Sequence, residues 1–226
     1  LIGLSEAARY SSRLKLFLHA STSEVYGRTK FHPTHEDAPL GATSPYAVSK
    51  IGCEEYLRVL HQSYEFPMVI MRPFNTYGRG LIGNSHFVVE RAIVSALKDN
   101  HIKLHDPTPH REFLFRDDHV DAYVKLVGAF IEGKPVIGET FNIAAGRSWS
   151  IETMATMVAQ IVASRIGATV TTEFTEVPDR PLDIDKLEGS GEHAKDILGW
   201  SPYWDLVEGL KKAVEEWDYR LSEMTE

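Results

Sequence analysis

Two short apolar runs flank a single well-capped helix, and this order constrains the fold more than any other feature of the chain. Residues 14–20, Leu14-Lys15-Leu16-Phe17-Leu18-His19-Ala20, read as a buried strand. Residues 67–72, Pro67-Met68-Val69-Ile70-Met71-Arg72, read as a second one. Between them, Ser44-Pro45 supplies an N-cap and a proline at the first helical position, opening a helix that runs to about Tyr64. Leu4, Ala7 and Ala8 recur at helical spacing before the first strand. Helix, strand, helix, strand in this order predicts βαβ units and a parallel sheet.

Past Pro73 the pattern is mixed. The spacing predicts a helix near 86–97, a short strand at 102–104, an extended stretch at 112–115, and a helix capped by Asp117-Asp118 that runs to about Ile131. A strand at 140–143 and a helix at 151–163, capped by Ser150, follow. Two further helices are expected after Ser190 and Asp205. Met154, Met157, Val158 and Ile161 form a core stripe, and Cys53 reads as a packing residue. Pro33 and Pro39 punctuate a polar loop. No repeat and no Pro/Gly-rich linker separates two halves, so a second lobe is woven into the first.

Composition narrows the function classes. The net charge of −8, with acids and bases interspersed, argues against a nucleic-acid binder, which needs clustered Lys and Arg. A nucleotide ligand needs only a few placed cations. The single cysteine allows no intrachain disulfide and no cysteine metal framework, which points to the cytoplasm. The ten histidines show no ligand spacing, so no metal is expected. No apolar run reaches membrane-spanning length. The first residues resemble the middle of an amphipathic helix rather than a signal peptide, so the chain is expected to begin inside a fold.

The chemistry centres on Tyr46-Ala47-Val48-Ser49-Lys50. A spacing of four puts phenol and ammonium on one helical face. A nearby cation favours phenolate over phenol, which makes Tyr46 a candidate general base for a sugar hydroxyl. The bland alternative is a solvated helix face. Ala20-Ser21-Thr22-Ser23-Glu24-Val25-Tyr26-Gly27 follows the first strand, and Arg72-Pro73-Phe74-Asn75-Thr76-Tyr77-Gly78 closes the second. Ligands bind parallel sheets at these C-terminal strand ends. Thr22 also reads as a turn hydroxyl bonding the backbone, and Glu24 as an exposed loop acid.

Together STSEVYG, SPYAVSK and RPFNTYG resemble, in order and spacing, the extended short-chain dehydrogenases/reductases, the NAD-dependent epimerase/dehydratase group. The resemblance continues through Arg111-Glu112-Phe113-Leu114-Phe115-Arg116-Asp117-Asp118, similar to the family's R-D/E-F-x-Y-V-D-D. It extends to Phe141-Asn142-Ile143-Ala144-Ala145-Gly146 and Leu198-Gly199-Trp200-Ser201-Pro202. It implies an α/β fold, here the C-terminal part of a Rossmann-like parallel sheet interleaved with a small mixed substrate lobe. Residues 1–78 and 112–146 would form the second half of the NAD-binding domain, and 79–111 with 147–226 the nucleotide-sugar lobe. It also implies NAD, with NADP not excluded, a nucleotide-diphosphate sugar as ligand, and a homodimer.

Carried over by position, Tyr46 is the base, Lys50 tunes it and orients the cofactor ribose, and Thr22 holds the sugar hydroxyl. Ala20, Pro73 and Asn75 line the cofactor side. Arg111 and Arg180 are candidates for the diphosphate, while Asn75 and Asn84 are candidates for substrate contact. The triplet Thr22-Ser23-Glu24 resembles nucleotide-sugar 4,6-dehydratases, the GDP-mannose type most. The dTDP-glucose type has an Asp where Ser23 stands. In that chemistry oxidation at C4 acidifies the C5 proton, Glu24 removes it, the 6-hydroxyl leaves, and hydride returns to C6. Ser23 is no acid, so Glu24 or water must protonate the leaving group. A 4-epimerase and a UDP-glucuronate decarboxylase are the alternatives within the family.

The family's G-x-x-G-x-x-G is absent, and by resemblance roughly one hundred residues, the first βαβαβ half, precede Leu1. The chain is therefore expected to be a piece of a longer enzyme. A non-catalytic remnant that binds a nucleotide sugar or a partner is the contrasting expectation.

Overall fold

The computed structural model describes residues 1–78, 87–176 and 182–224. The first half runs α1 (Ile2–Arg9), β1 (Phe17–Ala20), α2 (Pro45–Tyr64), β2 (Met68–Pro73), β3 (Thr76–Tyr77), α3 (Val88–Asp99), β4 (His101–His105) and β5 (His110–Glu112). The second runs β6 (Leu114–Phe115), α4 (Arg116–Ile131), β7 (Thr140–Ile143), β8 (Ser148–Ser150), α5 (Ile151–Ile166), β9 (Thr171–Thr175), β10 (Lys186–Leu187), α6 (Glu192–Leu198) and α7 (Leu206–Glu223).

Strands β1, β2 and β7 form a parallel sheet in that order, with Ala20 opposite Met71 and Pro73 opposite Ile143. The first four residues of β2 read as an apolar run because helices cover both of its faces. Met68 and Ile70 pack with Leu57 and Leu60 of α2, whereas Val69 and Met71 pack with Ala122, Leu126 and Ala129 of α4. The α/β parallel architecture expected from the strand–helix–strand order is present. No described helix is long and apolar enough to cross a membrane.

The remaining strands are short. β5 pairs with β10 in parallel and with β8 in antiparallel fashion, while β4 pairs with β9. They lie beside an apolar cluster in which Ile93 and Ala96 of α3 meet Met154, Val158 and Val162 of α5 and Leu210 and Trp217 of α7. The stripe through Met154 and Val158 thus faces core, with Met157 and Ile161 packed against it.

Several local expectations change. The first strand starts at Phe17, not Leu14. Strands β8, β9 and β10 were not expected; they are two to five residues long and mostly polar. Ser150 caps α5 as expected, accepting from the Thr153 N–H at 3.0 Å, and Asp205, after which a helix was expected, caps α7, accepting from the Glu208 N–H at 2.8 Å. Asp117-Asp118 does not cap α4, whose N-cap is Phe115 without a side-chain bond. Buried Asp118 instead accepts the backbone N–H groups of Tyr203 (2.9 Å) and Trp204 (3.1 Å), fastening the chain ahead of α7.

Candidate active site

At the end of β1 the backbone enters a 3-10 turn, Ser23–Tyr26, capped by Thr22, whose hydroxyl oxygen accepts from the Glu24 N–H at 3.3 Å. The turn role of this hydroxyl is therefore real, and it fixes the oxygen at the strand end. Glu24 reaches outward, and its carboxylate accepts from the Ser44 hydroxyl at 3.3 Å. Ser44 in turn caps α2, accepting from the Ala47 N–H at 3.1 Å. One short chain of bonds thus ties the turn to the start of the helix that carries Tyr46.

Lys50 closes the other side. Its ammonium donates to the Ala20 carbonyl at 2.7 Å and lies 5.7 Å from the centre of the Tyr46 ring. Tyr46 is 49% exposed, so its phenol is open to a ligand. His19, one residue before Ala20, is buried with its Nε2 unpartnered. Burial, then the Lys50 charge, hold its ring down to about 4, so it is neutral near pH 7.

Beneath these groups lies a buried polar network that sequence reading missed. Arg72, at the end of β2, donates to Glu54 of α2 at 2.6 Å, to the Tyr26 hydroxyl at 2.8 Å and to the Glu36 carbonyl at 3.0 Å. Ser21 donates to Glu54, and Tyr26 donates to the Asn142 side chain at 2.7 Å. Glu36 accepts the Asn142 N–H at 2.7 Å. Burial opposes both charges of the central pair, but their mutual hydrogen bonds win: Glu54 is lowered and Arg72 raised. Burial pushes Tyr26 up to about 12. The signal was available in part, since Glu54 follows Lys50 by four residues in the same helix.

A cavity of about 1190 Å³ opens above the strand ends. Every described residue expected from sequence lines it: Thr22, Ser23 and Glu24 on the turn, Tyr46 and Lys50 on α2, Ala20, Pro73 and Asn75 at the strand ends, and Arg111 on β5. Asn84 and Arg180 lie outside the described residues. The Asn75 amide nitrogen is buried without a hydrogen-bond partner among the described residues. Arg111, whose pKa burial lowers, lies 3.7 Å from Asp183. Arg28, His119, Tyr123, Asp183 and Asp185 also line the cavity and were not anticipated. Among the described residues no cluster of His, Cys, Asp or Glu suits a metal ion.

Glu112, beside Arg111, is wholly buried and makes no ion pair among the described residues. It accepts backbone N–H groups from Ala145, after β7, and from Gly189 (2.9 Å), after β10. Burial pushes it up to about 8 despite these donors. It pins the strand carrying Arg111 to two distant segments.

The residues around Ala20, Tyr46, Lys50 and Pro73 fit one side of a nicotinamide nucleotide: an exposed strand end, an ammonium already hydrogen bonding, and an accessible phenol. Residues 1–213 match the family model described as GDP-mannose 4,6 dehydratase. The chain is 31% identical over 216 residues to a UDP-glucose 4-epimerase of Mycolicibacterium smegmatis, covering 95% of this chain and 66% of that protein. It is 30% identical over 214 residues to a dTDP-D-glucose 4,6-dehydratase of Mus musculus, covering 92% and 57% respectively. The chain thus spans between about half and two-thirds of the length of these relatives. Among solved structures it is similar to a UDP-glucuronic acid 4-epimerase from Bacillus cereus in complex with UDP-glucuronic acid and NAD, with TM-score 0.79, 28% identity, and coverage of 96% of this chain and 65% of that one.

Proposed function

The chain belongs to the GDP-mannose 4,6-dehydratase family, and from that membership we propose that it carries the catalytic and substrate-binding groups of an NAD-dependent nucleotide-sugar 4,6-dehydratase. The family's relatives are nucleotide-sugar dehydratases and epimerases. The observation that carries the finer reading is the link from Glu24 through Ser44 to the helix of Tyr46, which sets a carboxylate and a phenol in one cavity.

Ala20, Tyr46, Lys50, Pro73 and Asn75 are the groups that hold the cofactor. NAD held there would supply reversible hydride chemistry between C4 and C6 of the sugar. Thr22 holds the C4 hydroxyl and Tyr46 takes its proton, leaving a ketone that acidifies the C5–H bond. Glu24, oriented by Ser44, removes the C5 proton. Ser23 has no proton of suitable acidity, so the newly protonated Glu24 is the acid at hand for the departing 6-hydroxyl, which leaves as water. C5 then regains a proton from solvent by way of Glu24 as C6 is reduced, and Tyr46 releases its own to solvent. Arg111 faces the diphosphate, because a guanidinium fork matches phosphate oxygens. Asn75 offers its unpartnered amide to the ligand.

A 4-epimerase is the second reading, favoured by the relative from M. smegmatis. Incubating the chain with NAD and a panel of UDP-, GDP- and dTDP-sugars, with products identified by mass, decides between them. Loss of one water, giving a 4-keto-6-deoxy sugar, is the expected result. A 4-epimer of unchanged mass overturns the dehydratase reading in favour of the epimerase, and loss of carbon dioxide in favour of the decarboxylase. Nucleotide-sugar binding without any product supports the non-catalytic remnant.

A further inference from the structure

Helix α2 is bonded to the sheet at both of its ends. At the cavity end, Lys50 donates to the Ala20 carbonyl at 2.7 Å and Glu54 accepts from the Ser21 hydroxyl. Toward the other end, Arg58 donates to the hydroxyl of Thr140, where β7 begins, at 2.9 Å. Tyr46, Lys50 and Glu54 follow one another at steps of four, so they form a row along one side of the helix, about 6 Å apart. The row runs inward, from a half-exposed phenol to a fully buried carboxylate.

Ser21 is held twice. Its N–H donates to the Met71 carbonyl of β2 at 2.7 Å, and its hydroxyl donates to Glu54. The receiving carboxylate is itself fixed, because Arg72 donates to one of its oxygens at 3.0 Å and to the other at 2.6 Å. A carboxylate held by such a fork accepts the serine in one orientation. Apolar packing would hold α2 against the sheet without setting its register along the strand. A hydrogen bond sets it, since it weakens steeply out of line. Thr22 is the residue after Ser21, and Tyr46 is the outer member of the row.

We propose that Ser21 and Glu54 are positioning residues: their bond sets where α2 stands along the end of β1, and so where the Tyr46 phenol stands relative to Thr22. This rests on the reading of Tyr46 and Thr22 as the groups that meet the sugar, and adds to it the pair that keeps them in register.

Turnover and the NMR signals of a chain carrying ring-labelled tyrosine test this, with the Tyr46 signal identified by its loss in Tyr46→Phe. Ser21→Ala removes the bond and leaves the Glu54–Arg72 pair in place. It is expected to shift the Tyr46 ring signal and to lower kcat about tenfold, with KM within about twofold of the wild type. The loss is smaller than the roughly 10²-fold of a full 1 Å misplacement because Lys50 still holds Ala20. Thr140→Val removes the Arg58 bond toward the other end of α2. It is expected to lower the melting temperature about as much as Ser21→Ala while leaving kcat and the Tyr46 signal unchanged. An unmoved Tyr46 signal in Ser21→Ala overturns the proposal. So does a fall in kcat in Thr140→Val that matches that of Ser21→Ala, because α2 would then be held by the sum of its bonds. A wild-type chain that makes no product overturns the catalytic reading, and the ring signal alone then decides the positioning, since it needs no turnover.

Discussion

The sheet side of the cavity and the lobe side are held by different physics. On the sheet side, Tyr46, Lys50, Thr22 and Glu24 stand over a buried polar network through Arg72, Glu54, Tyr26 and Asn142. On the lobe side, α3, α5 and α7 meet through aliphatic and aromatic packing. Packing tolerates substitution so long as volume is kept, whereas a buried ion pair fails when one member is lost. The sheet side is therefore held by directional bonds, and the lobe side by shape.

The sharpest break in that comparison is functional. Tyr46→Phe should lower turnover by about 10²–10⁴ if the phenol is the general base, leaving the melting temperature unchanged because the ring is half exposed. Next is Arg72→Met, which leaves buried Glu54 with only Ser21 and the more distant Arg58 and should destabilise by about 3 kcal/mol in urea unfolding. On the packed side, Leu210→Val removes a single methylene and should cost about 1 kcal/mol. Equal losses in the two variants would erase the distinction.

How far the sequence reaches follows the same divide. The residues lining the sheet side were legible because their motifs sit at strand ends and at helical spacing, as with Thr22 and Glu24 after β1 and Tyr46 with Lys50 in α2. Their supports were not. Glu54 meets Arg72 across 18 positions, and Tyr26 meets Asn142 across 116, separations that no local pattern reports. The lobe was legible as helices, since α5 shows its stripe and its Ser150 cap. Its strands were not, because β8, β9 and β10 are short and acquire their state from pairing. Asp118 misled because an acid at a helix start fits both a cap and the long-range contact it makes.

Titration separates the two sides more finely. His19, with its ordinary value of 6.5 lowered to about 4, leaves the folded protein short of a proton that the unfolded chain binds, so its contribution is lost as pH falls through that window. Glu112, raised from 4.5 to about 8, is the reverse. The folded state holds a proton that the unfolded chain has released, so stability falls as pH rises toward 8. Below about pH 6.5 the two slopes oppose. Between about 6.5 and 8 Glu112 should dominate, at up to about 1.4 kcal/mol per pH unit. Urea unfolding at several pH values tests this, and Glu112→Gln, which cannot ionise, should flatten the slope. Ser44→Ala is expected to have an effect on stability as small as that of Leu210→Val. Loss of the cap costs about 1 kcal/mol by thermal unfolding, with a drop in turnover because Glu24 loses its donor.

Gly27 ends the 3-10 turn at φ +56°, and a β-carbon there would run into the Gly41 carbonyl. The Gly41 N–H also bonds the Val25 carbonyl at 2.9 Å, so the chain leaves and re-enters through a narrow neck. Arg28 is the first residue outside it, and the span up to Thr34 makes no contact with Thr22 or Glu24 among the hydrogen bonds described. Changes of length or charge between Arg28 and Phe31 therefore leave the hydrogen bonds of Thr22 and Glu24 in place. One wall of the cavity is thus divided at a single glycine into a tied part and an untied one.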